Sequence, residues 1–383
     1  MNTLPTELLG DIVNQDILTT PDVLNIARVS RLFGQLAAAR LYRSGELSYI
    51  GATEREARKV EAFSKYGKHV RTLTLNLCPH RSSPLTLIPT ELPRLLRPLT
   101  NLHAFTLLDA ASLPWPDFAA LLAGLITTHF ALKHLELQAT LLPSDGTQDI
   151  TRARSILASS QTSICKLDSF TLRISARHAA INRTAIDHLI EILQPATRSA
   201  KSFQYSCDCF DSPPRPSPAT TASKRAVTAT THRSWEWDTL ETLSLKLPTS
   251  WNRIRSEAAV QPHTQTALTR DLHNVTTLAI KLGTADLLTQ LNNSFEYGLA
   301  SLPALQHLRI SQSGGYRLDW DPDVSTTSNS QPDHPFYAIA RTLPSLLTID
   351  QTDPYYMTRI IQSWRIIRSP EDPDAISFKM QPY

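Results

Sequence analysis

The stretch VRTLTLNLC, residues 70–78, sets Val70, Leu73, Leu75 and Leu77 as apolar side chains with polar ones between the last three. Alternation of this kind is the period of a β-strand with one buried face. The phrase returns as LHAFTLLDA (102–110), LKHLELQAT (132–140), LDSFTLRIS (167–175), LETLSLKLP (240–248), VTTLAIKLG (275–283) and LQHLRISQS (305–313). Weaker copies are AKSFQYSCD (200–208) and LLTIDQTDP (346–354). Aligned on the central apolar residue, the copies make Leu73, Phe105, Leu135, Phe170, Phe203, Leu243, Leu278, Leu308 and Ile349 equivalent, at intervals of 30–41 residues.

Between the strands lie helix-like stretches, Trp115 to Thr128, Ala185 to Leu193, Ser256 to Leu272, Ala285 to Leu299 and Tyr337 to Leu343. A strand and a helix recurring at a fixed spacing leave an apolar edge that only the next unit can cover. The L-x-x-L-x-L core resembles a leucine-rich repeat array. That resemblance implies an α/β fold in which a curved solenoid of parallel strands and helices follows the N-terminal segment. The intervals exceed the usual 20–29 residues of such repeats, and only the first copy has a Cys, Cys78, at the Asn/Cys position. The alternative is an ordinary α/β domain whose buried strands follow helices. No glycine-rich phosphate loop follows any strand, which weighs against nucleotide binding. Two Pro-, Ser- and Thr-rich stretches, 211–231 and 320–335, lack apolar periodicity and read as disordered insertions in the array.

Composition narrows the function further. Thirty-eight Lys and Arg against 35 Asp and Glu give a formal charge of +3 over 383 residues, which is no polyanion-binding signature, so no nucleic-acid partner is expected. No apolar run reaches membrane-spanning length; Phe118 to Phe130 is the most apolar and reads as a buried helix. Four scattered cysteines and no secretory leader point to an intracellular protein, in cytoplasm or nucleus.

Catalytic signatures are missing. The sequence holds no G-x-S-x-G, H-E-x-x-H or C-x-x-C. Cys207 and Cys209 flank Asp208 without further ligands nearby, and His103, His134 and His307 fall at strand entries. Asp109 and Asp350 lie at strand ends with no partner base. No enzyme activity, metal or cofactor is expected, and the function is recognition. On the strands, the polar residues Asn76, Glu136, Gln138, Arg173, Lys246, Lys281 and Arg309 alternate with the core positions and are the candidate substrate-binding surface.

The opening segment, LPTELLGDIVNQDILTTPDVLNIARVSRLFGQLAAARLY from Leu4, reads as three short helices, with Pro21 starting the second after the Thr19-Thr20 turn. It resembles an F-box. Leu4, Pro5, Glu7 and Leu8 match the opening Leu-Pro-x-Glu-Leu of that family, Ile12 the aliphatic residue four positions on, Pro21 to Leu24 the second helix start, and Val29, Ser30, Arg31, Leu32 and Phe33 the closing phrase. Phe33 stands where Trp is commoner. The combination is similar to fungal F-box proteins with degenerate leucine-rich repeats. The resemblance implies a helical module over 1–45, a helical linker or cap over 46–69 and the repeat domain over 70–383. It further implies docking to a Skp-family adaptor, and through it a cullin, by Leu4, Pro5, Leu8, Ile12, Leu24, Val29 and Phe33, with a protein substrate held by the repeats. The competing reading is a non-catalytic interaction scaffold that assembles no ubiquitin ligase, its N-terminal helices capping the first repeat.

Overall fold

The computed structural model describes residues 5–48, 54–77, 95–108, 113, 115–139, 149–160, 164–176, 183–209, 234–246, 272–282, 302–312, 335–352, 359–371 and 375–381. The insertions at 211–231 and 320–335 lie outside them, apart from Pro335, as do Leu4, Cys78, Asp109 and the expected helices after Ser256 and Ala285, apart from Leu272. Two compact units divide the chain, residues 1–139 with 146–167, and residues 140–145 with 168–383.

The first unit opens with α1 (Thr6–Val13), α2 (Thr20–Ala27) and α3 (Arg31–Leu41). Then follow β1 (Ser44–Ser48), α4 (Glu54–Tyr66), β2 (Thr72–Asn76), β3 (Ala104–Leu108), α5 (Trp115–Thr128), β4 (His134–Ala139) and α6 (Thr151–Ser159). Its strands run parallel in chain order, β1-β2-β3-β4. Helix α5 is apolar on nearly all sides and is buried from Phe118 through Ala123 and again at Leu125 to Thr127.

The second unit comprises β5 (Ser169–Ala176), α7 (Arg183–Thr197), β6 (Ser202–Cys209), β7 (Thr242–Lys246), β8 (Thr277–Leu282) and β9 (His307–Gln312). After α8 (Pro335–Thr342) come β10 (Thr348–Thr352), β11 (Ile360–Arg368) and β12 (Ile376–Gln381). Strands β5 to β10 are parallel in chain order, whereas β11 and β12 return antiparallel.

The repeated phrase sets the register. Leu73 faces Phe105 and Phe105 faces Leu135 across neighbouring strands. In the second unit the row runs Phe170, Phe203, Leu243, Leu278, Leu308, Ile349, each opposite the next. All nine aligned residues are buried. A backbone device repeats with them: the carbonyl two residues before the central position accepts two successive N–H groups from the next strand. Arg71 O takes those of His103 and Ala104 at 2.7 and 2.9 Å, Lys201 O those of Glu241 and Thr242 at 2.9 Å each, and Gln306 O those of Leu347 and Thr348 at 2.8 and 3.1 Å.

The expected leucine-rich-repeat-like solenoid of curved parallel strands is corrected by this topology. The fold is α/β with alternating strand and helix units, and its sheet is open, neither closed nor strongly curled. Curvature in a repeat array accumulates from a constant rotation per unit. Here the connections differ in length and, among the described residues, carry helices from 8 to 15 residues long, so the units are not equivalent. The antiparallel β11 and β12 then end the parallel pattern.

Two elements were not anticipated in the sequence reading. Strand β1 pairs with β2, its Gly45 opposite Leu73, and Arg43 O accepts from Arg71 and Thr72 in the repeating manner. The β11-β12 pair packs Trp364 and Phe378 on Phe336 of α8, ring centroids 5.4 and 6.3 Å away.

Candidate functional site

Three local devices shape the N-terminal helices. The Asp22 carboxylate accepts the Thr19 N–H at 2.8 Å, closing the start of α2. The bonds from Thr19 hold the Asp22 carboxyl below the usual carboxylate range. Ser30 caps α3, its hydroxyl accepting from the Phe33 N–H at 3.2 Å. Arg40 of α3 donates to the carbonyls of Val13, Gln15 and Leu18, tying down the α1-α2 connection.

Val13, Val23 and Ala37 form the small core, with Leu18, Ile26, Ala27, Phe33, Leu36 and Leu41 packed on it. Phe33, expected at the adaptor interface, is thus placed against its own module. The other expected docking residues within the described region point outward: Pro5 is exposed ahead of α1, Leu8 and Ile12 are 48% and 42% exposed one turn apart, and Leu24 and Val29 are 46% and 71% exposed. Ile17, at 81%, and Leu32 join them. Of the ten large apolar residues exposed among the described residues, six therefore fall between Leu8 and Leu32. Scattered exposed apolar residues are normal on any protein; this density in one small module makes it the candidate interaction surface. Ile17 and Leu32 are not among the expected docking residues, although Leu32 falls within the closing phrase; Ile17, between Asp16 and Leu18 in a connection, carries no helical periodicity that would have marked it.

Of the polar strand residues, Asn76, Glu136 and Gln138 lie in the first unit and Arg173, Lys246, Lys281 and Arg309 in the second. All seven alternate with the buried row: Arg173 is exposed and the others half-buried. Lys246 and Lys281 are direct register partners, and Arg173 and Lys246 both pair with Ser206. Arg309 instead lies 3.6 Å from the buried Asp350, which also accepts the Ser363 hydroxyl at 2.7 Å. These three residues occupy adjacent strands in register, so Asp350 serves a structural network across β9, β10 and β11.

Reactive groups do not converge among the described residues. No cluster of three or more metal-ligating side chains occurs there, and the buried Cys165 thiol is pushed up to about 12 by desolvation, which keeps it protonated and unreactive. His103 and His307 bond to the Asn101 carbonyl at 2.6 Å and the Thr348 hydroxyl at 3.0 Å, respectively. No helix among the described residues is long and apolar enough to cross a membrane.

No protein-family model and no curated protein matches this chain.

Proposed function

We propose that the protein is a substrate-recruiting subunit of an SCF-type cullin ubiquitin ligase. The observation that carries this reading is the apolar surface of Leu8, Ile12, Ile17, Leu24, Val29 and Leu32 on a helical module with a complete core of its own. In this reading the Skp-family adaptor covers those side chains, burying an apolar helical face as such interfaces do. Phe33 and Arg40 hold the surface in shape from behind. The polar strand residues bind a protein substrate, whose lysines are thereby held at high local concentration beside the charged conjugating enzyme. The chain itself makes and breaks no bonds, and it works in the cytoplasm or nucleus.

The test is capture of recombinant Skp-family adaptor and cullin by the full chain, compared with a Leu8→Asp, Leu24→Asp double variant. About half of each substituted residue is already exposed to solvent, so the fold survives, as circular dichroism would verify. Burying the two carboxylates against an apolar partner costs several kcal/mol, on the order of 2–7 for each unpaired polar group. Adaptor and cullin retained by wild type and lost by the folded variant is the expected result. Adaptor without cullin would favour a scaffold, and failure of wild type to hold the adaptor would overturn the proposal.

A further inference from the structure

A cavity of about 770 Å³ opens in the first unit beside α5 and α6, lined by none of the residues assigned above to partner binding. That volume is within the range of about 300–1,000 Å³ usual for small-molecule sites. Its walls are mostly apolar, among them Leu96, Leu121, Leu125, Phe130 and Ile156.

The charges on the lining are not balanced. Arg97, Arg152 and Asp117 all line the cavity. Asp117 lies 3.4 Å from Arg152, while Arg97 holds no ion pair among the described residues. His129 is a neutral member of the wall, since burial holds its imidazole below the ordinary value, and its Nδ1–H donates to Leu99 O at 3.1 Å. Among the described residues, Arg97, which lines the cavity and is exposed, has no carboxylate partner.

Gly124 is the second observation. It sits within α5 and lines the cavity, yet a Cβ built on it would meet nothing within 4 Å. Glycine inside a helix is destabilising relative to alanine, and no neighbouring atom requires it here. The position keeps open a space that any longer side chain would fill.

We propose that this cavity binds a long-chain carboxylate, its alkyl chain against the apolar wall and its head group on Arg97. A guanidinium fork matches a carboxylate with two parallel hydrogen bonds. The site is independent of the adaptor surface, so either reading can fail alone.

Calorimetric titration of the full chain with dodecanoate, below its micellar concentration, tests the assignment. One equivalent should bind. Gly124→Leu should weaken binding at least tenfold without lowering the unfolding temperature, Arg97→Ala should weaken it severalfold, and dodecan-1-ol should bind more weakly than dodecanoate. Should Gly124→Leu perturb the helix, Ile156→Trp from α6 fills the same space and is read in the same way. Absence of binding, unchanged affinity in the filled variant, or equal affinity for the alcohol would overturn the proposal. Self-association of the chain that dodecanoate does not relieve would assign the cavity to a second copy and overturn it too.

Discussion

Arg40 does for the N-terminal helices what hydrophobic contacts alone could not. The last carbonyls of any helix lack partners within it, and α1 ends in a connection only a few residues long. The Arg40 guanidinium supplies donors to Val13, Gln15 and Leu18, the last two at 2.8 and 2.7 Å, and so fixes the segment that displays Ile17. Arg368 repeats the device on β11, donating to the carbonyls of Leu346, Leu343 and Ala340 at 2.6, 2.9 and 3.1 Å around the end of α8. Arg40→Met preserves the alkyl stem but strands the carbonyls, and hydrogen bonds to charged groups are worth about 1.5–3 kcal/mol each. With partial rehydration of the freed carbonyls, the expected loss is about 2–4 kcal/mol. Thermal unfolding followed by circular dichroism, with proteolysis around residues 14–19, would show it. Arg40→Lys should recover only part, because a single ammonium lacks the planar fork that spans the three acceptors. An unchanged midpoint in Arg40→Met would remove Arg40 from this role.

At the scale of elements, the sequence was most legible where side-chain period and backbone register coincide. The nine aligned apolar residues could be read because a half-buried strand must alternate, and neighbouring strands in register must bury the same position. Helix α5 was legible for a similar reason, as its ends at Trp115 and Thr128 enclose an unbroken apolar segment. Strand β1 was hidden because its central position is Gly45. Its missing side chain is replaced from outside the strand by the ring of Phe63 on α4, which occupies the place a Gly45 Cβ would take. Sequence periodicity cannot show an apolar group borrowed from a helix 18 residues away. Gly45→Ala should therefore destabilise the first unit by about 1–3 kcal/mol through overpacking, and Phe63→Ala by about 3–5 kcal/mol through the cavity it leaves. Combining Gly45→Leu with Phe63→Ala should recover part of that loss, giving a favourable coupling in a double-mutant cycle of denaturant unfolding. Strictly additive losses would mean that the ring does not substitute for the side chain.

At the scale of the whole molecule, strand order follows chain order, so among the described residues the strands at the ends have one partner each: β1 has β2, and β12 has β11. The phrase alignment identified which residues pair but held no information on how the sheet bends or where its direction reverses, since those follow from connection geometry. The terminal edge has an electrostatic weakness as well. Exposed Lys379 of β12 stands directly opposite exposed Arg365 of β11, and like charges facing across an antiparallel pair repel. A lysine on an edge strand also discourages pairing with other chains, so the local instability has a use, and any charge retained there preserves it. Lys379→Glu replaces repulsion by attraction while keeping a charge on the edge, and should stabilise the pair by about 0.2–1 kcal/mol. Hydrogen exchange would read both effects. Amides over 376–381 should exchange faster than those of the interior strand over 277–282 in the wild type, because opening an edge breaks one ladder where opening an interior strand breaks two. Lys379→Glu should slow exchange over 376–381 and leave 277–282 unchanged. Equal protection of β12 and β8 in the wild type would show that the edge opens only with the rest of its unit, and faster exchange in the variant would show that Arg365 is not the group Lys379 meets.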